Sequence, residues 1–378
     1  MRVLVTDAGF KNSLSAIRNL AMHGVEVIAA APSKLSQGFF SRFCTVRAIC
    51  PPPEDDQAFL DWLLSTIRAQ QIDVVLPIGD VTTTTVSRLK THIEPYARVP
   101  VADWEAMRIA SSKQETMRFA ASIGVDIPRT YAAGEVVRSF PVVVKASEGS
   151  GQVRYVNTAE ELAVCDSGRS VVQEYIPGEG RAFFALLDHG VPRATFMHRR
   201  LREYPITGGP STAAESIADP ILAELGLRLL QALRWHGVAM VEFKRDRRNG
   251  HYRLMEINPK FWGSLDLAIC AGVEFPWLTA RMAVGESFPP VTEYRVGARF
   301  RWVFEDLMHV LARPRDFAVF LKDFWNPGVQ DDLRWDDPGP SVFRAAAVSA
   351  IILKRIALGA LRHPHGSPAT RSERGLRG

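Results

Sequence analysis

Val238-Ala239-Met240-Val241-Glu242-Phe243-Lys244 and Tyr252-Arg253-Leu254-Met255-Glu256-Ile257-Asn258-Pro259, joined through a turn at Arg245 to Gly250, decide how this chain is read. Two carboxylates and an amide stand in otherwise apolar strands. Alternation puts Glu256 and Asn258 on one face, with Leu254 below them and Met255 and Ile257 turned the other way. Arg248-Asn249-Gly250 reads as a three-residue loop with its glycine in the left-handed position of a bulged hairpin. That loop places Glu242 directly across from Glu256.

Two carboxylates about 5 Å apart on paired strands repel unless a proton or a cation lies between them. With oxygen ligands only, the pair suits Mg²⁺, which completes its shell with phosphate oxygens and so calls for a nucleotide above the hairpin. The plainer alternative is a solvated hairpin with acids on its rim. The residues that follow, Pro259-Lys260-Phe261-Trp262-Gly263-Ser264, put a cation and a tight turn beside the acids. Lys260 shares the parity of Glu256 and Asn258.

At 378 residues the chain has room for two or three domains with real cores. Lys and Arg number 46 against 41 Asp and Glu, a formal +5 that is too mild to imply nucleic acid. Only nine of the basic residues are lysines, so each lysine in a site-like context is informative. Cys44, Cys50, Cys165 and Cys270 lack metal or redox spacing and read as thiols of a reducing cytoplasm. Met1 leads straight into a strand pattern with no signal peptide, and the longest late apolar run, 345–353, is half what a bilayer needs.

Residues 1–102 alternate short strands with helices and predict a small parallel sheet; the turn Asp7-Ala8-Gly9-Phe10-Lys11 is not a dinucleotide fingerprint. Asp80 follows a strand end and serves either a ligand or a helix cap. A helix over 103–123 carries Lys113. Lys145 lies inside the strand Val142-Val143-Val144-Lys145, a costly place unless its ammonium finds an anion. Glu148-Gly149-Ser150-Gly151-Gln152 follows as a loop able to turn backbone N–H groups onto phosphates. Gln173-Glu174-Tyr175-Ile176 can offer backbone groups to an adenine edge, with Glu179 beyond it for ribose. His198-Arg199-Arg200-Leu201-Arg202 before Gly208-Gly209 reads as an anion-capturing strand or as a solvated basic one. The helix 220–233 is amphipathic and packs beneath the hairpin.

In order, these pieces resemble the ATP-grasp superfamily over roughly residues 1–290, and 198–211 with 261–264 is similar to its carboxylate–amine ligase branch. The resemblance implies an α/β protein: a Rossmann-like N-terminal domain (1–102), an ATP-grasp domain (103–290, lid subdomain about 125–176, Mg-ATP hairpin 238–260) and a mainly helical C-terminal extension (291–378). Residue by residue, it implies that Lys113 and Lys145 bind ATP phosphates beneath a lid of Glu148, Gly149, Ser150 and Gly151. Gln173, Glu174, Tyr175 and Ile176 would hold adenine and Glu179 the ribose. Glu242, Glu256 and Asn258 would hold one or two Mg²⁺ ions, with Mn²⁺ as a substitute. Arg200, Arg202 and Lys260 would neutralise the transferring phosphoryl group. Much of the family has Arg where Lys260 stands; lysine keeps the charge and loses the two-pronged contact.

The implied activity is ATP-dependent joining of a small carboxylate to an amine through an acylphosphate. A non-catalytic ATP-binding sensor or scaffold, or a kinase-like phosphotransferase, are the alternatives. No nucleic acid or transmembrane segment is expected, and a homodimer is left open. Beyond residue 291, Asp331-Asp332 and Asp336-Asp337 read as a solvated acidic turn rather than a metal site. The run 343–362 reads as a basic amphipathic helix that packs on the protein itself, with weak contact to a membrane surface or a partner protein as the other option, and a disordered tail follows from about 363.

Overall fold

The computed structural model describes residues 1–132, 134–146, 153–165, 170–206 and 208–357. The loop Glu148, Gly149, Ser150 and Gly151 and the tail from 363 lie outside them. Near the N-terminus, Val3, Leu4 and Val5 are fully buried, as a strand covered on both faces requires. The strands form a parallel sheet in the order Val46–Ile49, Glu26–Ala31, Arg2–Val5, Val74–Leu76. Helices Lys11–Met22 and Asp56–Gln70 pack against this sheet, the second capped by Asp55, whose carboxylate accepts from Ala58 N.

The helix expected over 103–123 is two helices. Ser112 leaves helical geometry, and its hydroxyl accepts from Glu115 N, so Trp104–Ser111 stops and Lys113–Ser122 begins. Lys113 thereby stands in the first turn of a helix. Next comes a four-stranded antiparallel sheet in the order Thr130–Tyr131, Ser170–Glu174, Val142–Ala146, Arg154–Val156.

The largest sheet has seven strands, in the order Tyr252–Asn258, Gly237–Asp246, Gly178–Asp188, Val191–Glu203, Ser211–Ser216, Arg299–Arg301, Val329–Asp331. Its last two strands come from beyond residue 291, so the C-terminal part is not only helical. One face of the sheet meets the N-terminal domain through Phe184, Phe196, Trp262 and Trp302. On the other, Phe183, Val241 and Phe243 meet the helix Pro220–Ala232, where Gly226 lies so close to Phe183 that an added Cβ would sit 2.2 Å from the ring.

The hairpin reaches its expected register by a different route. Arg245 pairs with Tyr252, Lys244 with Arg253 and Phe243 with Leu254, so the turn is one residue longer than read. A shift at Met255 then restores Glu242 opposite Glu256. The bulge changes which face the neighbours take. Leu254 joins the core with Ile257, while Met255 lines the cavity beside Glu256.

The acidic pairs near the C-terminus are not a solvated turn. Asp337 is 1% exposed and accepts from Arg18 Nε at 2.8 Å, Ser41 Oγ at 2.8 Å and Arg42 N at 2.9 Å. Asp332 caps the helix Val303–Ala312 through Val303 N, and burial pushes its carboxyl up to about 6. Asp337 thus fastens the C-terminal segment to the N-terminal domain. The helix Pro338–Ala357 continues that packing: Val348 and Ile352 meet Met308 and Ala312.

Candidate active site

A cavity of about 1250 Å³ lies between the small antiparallel sheet, the hairpin and the N-terminal domain. Glu242, Glu256, Asn258, Lys113, Lys145 and Gln173 to Ile176 all line it. The fold therefore gathers into one space residues separated by up to about 145 positions.

Glu242 and Glu256 are direct cross-strand partners. Asn258 Nδ2 donates to Glu256 Oε1 at 2.9 Å, which fixes that carboxylate on the shared face. Burial pushes the Glu242 carboxyl above its ordinary range; Arg200 pulls it down and Glu256 pushes it further up. Arg200 Nη2 donates to Glu242 Oε2 at 2.5 Å. Burial lowers the Lys145 ammonium against the pull of Glu256 and Glu242. A half-buried lysine whose charge is felt by two acids, in a strand made mostly of valines, is the arrangement that an incoming polyanion with its counter-ion would complete. The donors of the acidic pair are oxygens, a fit to Mg²⁺ rather than to a softer ion.

The Gln173 amide donates to Thr130 Oγ1 at 3.0 Å and is held in place. The Glu174 carboxylate accepts from Arg129 N at 3.0 Å and from Arg248 at 3.3 Å, leaving it committed to the fold. Tyr175 meets Tyr155 edge on. Lys244, which sequence reasoning missed as a site residue, also lines the cavity. Its ammonium lies 5.3 Å from the Tyr175 ring centroid and donates to Ile176 O at 3.4 Å. Its parity with Glu242 was the available signal.

Among the described residues, two of the expected site residues do not line this cavity. Arg202 bonds Asp306 with Nε at 2.8 Å and Nη2 at 2.7 Å, and Asp323 at 2.6 Å. The strand register shifts between Arg200 and Arg202, which breaks the alternation that equal parity assumes. Glu179 is taken by Arg181 at 3.1 Å and faces Arg199 at 3.6 Å. Arg199 in turn grips Glu215. The basic strand is thus largely an ion-pair frame, with Arg200 its member in the cavity. His198 is buried, bonds Ser264 Oγ through Nε2 at 2.8 Å, and is lowered to about 3 by desolvation and by Arg200, so its ring is neutral.

Lys260 lines the cavity and forms an ion pair with Asp80, which lines it too. Asp80 opens the helix Asp80–Arg88, so it is both a first-turn acid and a site residue.

A family model described as "ATP-grasp in the biosynthetic pathway with Ter operon" matches residues 169–305. A D-alanine–D-alanine ligase of Fusobacterium nucleatum is 33% identical over 78 residues, 20% of this chain, and the match spans 27% of that relative's length. Among solved structures, the biotin carboxylase of Campylobacter jejuni in complex with β-γ-ATP is similar with a TM-score of 0.63 at 14% identity, over 79% of this chain and 74% of that one. An L-amino acid ligase of Bacillus licheniformis is similar with a TM-score of 0.60 at 18% identity, over 75% and 74%. At these identities the structural likeness shows the fold.

Proposed function

We propose that this chain is a member of the ATP-grasp superfamily and an ATP-dependent ligase that joins a small carboxylate to an amine. The observation that carries the reading is the facing pair Glu242 and Glu256, set with Lys113 and Lys145 in one cavity. The relatives named as ligases of D-alanine and of L-amino acids support the same class of bond.

Phosphoryl transfer asks little covalent help of a protein; it needs placement and cations on the spreading charge. Glu242, Glu256 and Asn258 would hold Mg²⁺, which when bound neutralises phosphate oxygens. Lys113 and Lys145 bind the phosphates, and the backbone of Glu174 to Ile176 meets the adenine edge. The substrate carboxylate oxygen attacks the γ-phosphorus, the bond to the β-phosphate oxygen breaks, and ADP leaves. The amine nitrogen then attacks the acyl carbon, phosphate departs with the C–O electrons, and the nitrogen loses a proton. Arg200 and Lys260 are placed to balance the negative charge of the first step. Because an acylphosphate hydrolyses, this chemistry needs water kept out. The work belongs in a reducing cytoplasm, in keeping with the free thiols of Cys44, Cys50 and Cys270. Among the described residues no helix is long and apolar enough to cross a membrane.

The test is a screen of amino acids and small acids for ATP-dependent phosphate release, with and without amines and with hydroxylamine as a trap. A hydroxamate formed only with ATP and one class of acid is the expected result. Tight ATP binding with no ADP from any mixture would leave a sensor in place of a ligase.

A further inference from the structure

The turn after Asp188 carries a cluster that the ATP site does not use. Asp188 pairs with Val191 across a two-residue connection, and both residues between them, His189 (φ 47°) and Gly190 (φ 90°), are left-handed. A tight turn between right-twisted strands demands that geometry, and Asn or Asp meets it more cheaply than His. Here the first position instead presents an imidazole. Gly190 N donates to Trp235 O at 2.7 Å, which brings the next residue, His236, alongside.

The rings of His189 and His236 stack with centroids 4.2 Å apart and planes 18° from parallel. His236 Nδ1 lies 3.2 Å from Asp188 Oδ1, yet it is buried and makes no hydrogen bond. His189 Nε2 lies 3.9 Å from the same carboxylate oxygen. One ligand atom from each of the three residues falls within 4.8 Å of the other two. Ligands bound at about 2 Å around one ion sit about 3.3 Å from each other. The side chains of Asp188 and His189 are 48% and 57% exposed and can make that small adjustment. Lys90, whose charge acts on His236, is engaged by Asp103 at 2.7 Å and faces Glu94 at 3.7 Å, which offsets it.

We propose that Asp188, His189 and His236 bind a divalent transition metal of the Zn²⁺ type, at a site separate from the Mg²⁺ hairpin. Two imidazoles and one carboxylate select such an ion over Mg²⁺ and leave a coordination position open to water. The ion ties the turn to the segment between the helix Pro220–Ala232 and the strand that starts at Gly237. Gly237 is itself pressed on Pro100 O, 2.3 Å from where its Cβ would be. That contact leads to the helix Trp104–Ser111, whose Trp104 and Arg108 line the cavity.

The experiment titrates Zn²⁺ into the full chain, stripped with a chelator, by calorimetry in the presence of Mg²⁺, with the visible band of Co²⁺ as a second readout. One equivalent bound at low micromolar affinity, a raised Tm and a Co²⁺ spectrum with nitrogen ligands are expected. His189→Ala with His236→Ala should weaken Zn²⁺ by more than about 100-fold, since loss of outer-shell partners alone costs 10–100-fold. Asp188→Asn, at a half-exposed position, should weaken it in the same direction, and ATP binding should be unchanged throughout. No zinc uptake, or uptake that survives in the double variant and in Asp188→Asn, overturns the proposal; survival would place the ion at the Glu242–Glu256 pair.

Discussion

Arg200 and Glu242 meet at 2.5 Å across the large sheet, so one of the two acids proposed as metal ligands already holds a guanidinium. Glu256, its partner on the hairpin, is held instead by Asn258. The two acids are therefore unequal. Glu256→Gln keeps the side chain's shape and removes a proposed metal ligand, and should lower ADP release by about 100-fold or more, the scale seen when one preorganised charge contact is lost. Steady-state phosphate release against Mg²⁺ concentration checks this; normal turnover at ordinary Mg²⁺ would refute the assignment.

Arg200 and Arg202 should separate by their defects. Arg202→Met leaves Asp306, which is fully buried, without its cation and should cost about 3–5 kcal/mol in stability while folded protein still turns over. Arg200→Met should lose turnover. Urea unfolding measured beside activity per folded molecule distinguishes them.

Lys145→Met should abolish turnover and stabilise the nucleotide-free protein. Burial lowers the Lys145 ammonium, so the native state favours its neutral form and holds the charged form at a cost. A Tm rise of about 2 °C or more would correspond to about 1 kcal/mol. An unchanged or lower Tm would mean the ammonium is well solvated.

His198 sets an acid limit on stability. Its folded pKa of about 3 lies below its ordinary 6.5, so the unfolded chain binds the extra proton first as pH falls. Stability from this group is whole above pH 6.5 and drains away as pH drops toward 3. His198→Gln should remove one proton from the slope of stability against pH in that window, about 1.4 kcal/mol per pH unit. Equal slopes in variant and parent between pH 4 and 6 would count against it.

Lys244→Met should raise the KM for ATP by about tenfold with little change in kcat, the loss of about 1.4 kcal/mol of uniform binding. Its ammonium reaches Ile176 O and the Tyr175 ring, beside the residues proposed to hold adenine. A fall in kcat with KM intact would move Lys244 into the chemistry.

The pairing of Glu242 with Glu256 could be read from sequence because turn length and strand parity fix register. Even so, a longer turn and a shift at Met255 cancelled, so the right pairing came with Leu254 and Met255 on exchanged faces. Lys145 was legible as a charge with no reason to be among valines. Arg202 was not, because its partners Asp306 and Asp323 lie more than a hundred residues away and a local register shift leaves no mark in composition. Asp337 misled for the same reason: an acid among prolines and glycines looks wet until Arg18 and Ser41 close over it.

Lys260 rests against Asp80, which belongs to the N-terminal sheet's end of the molecule, while Lys260 follows the hairpin. On the proposed function, a triphosphate over the hairpin would have to draw this lysine away from Asp80. Each turnover would then release and remake a tie between the N-terminal domain and the hairpin, so that nucleotide occupancy registers at a contact between distant parts of the sequence.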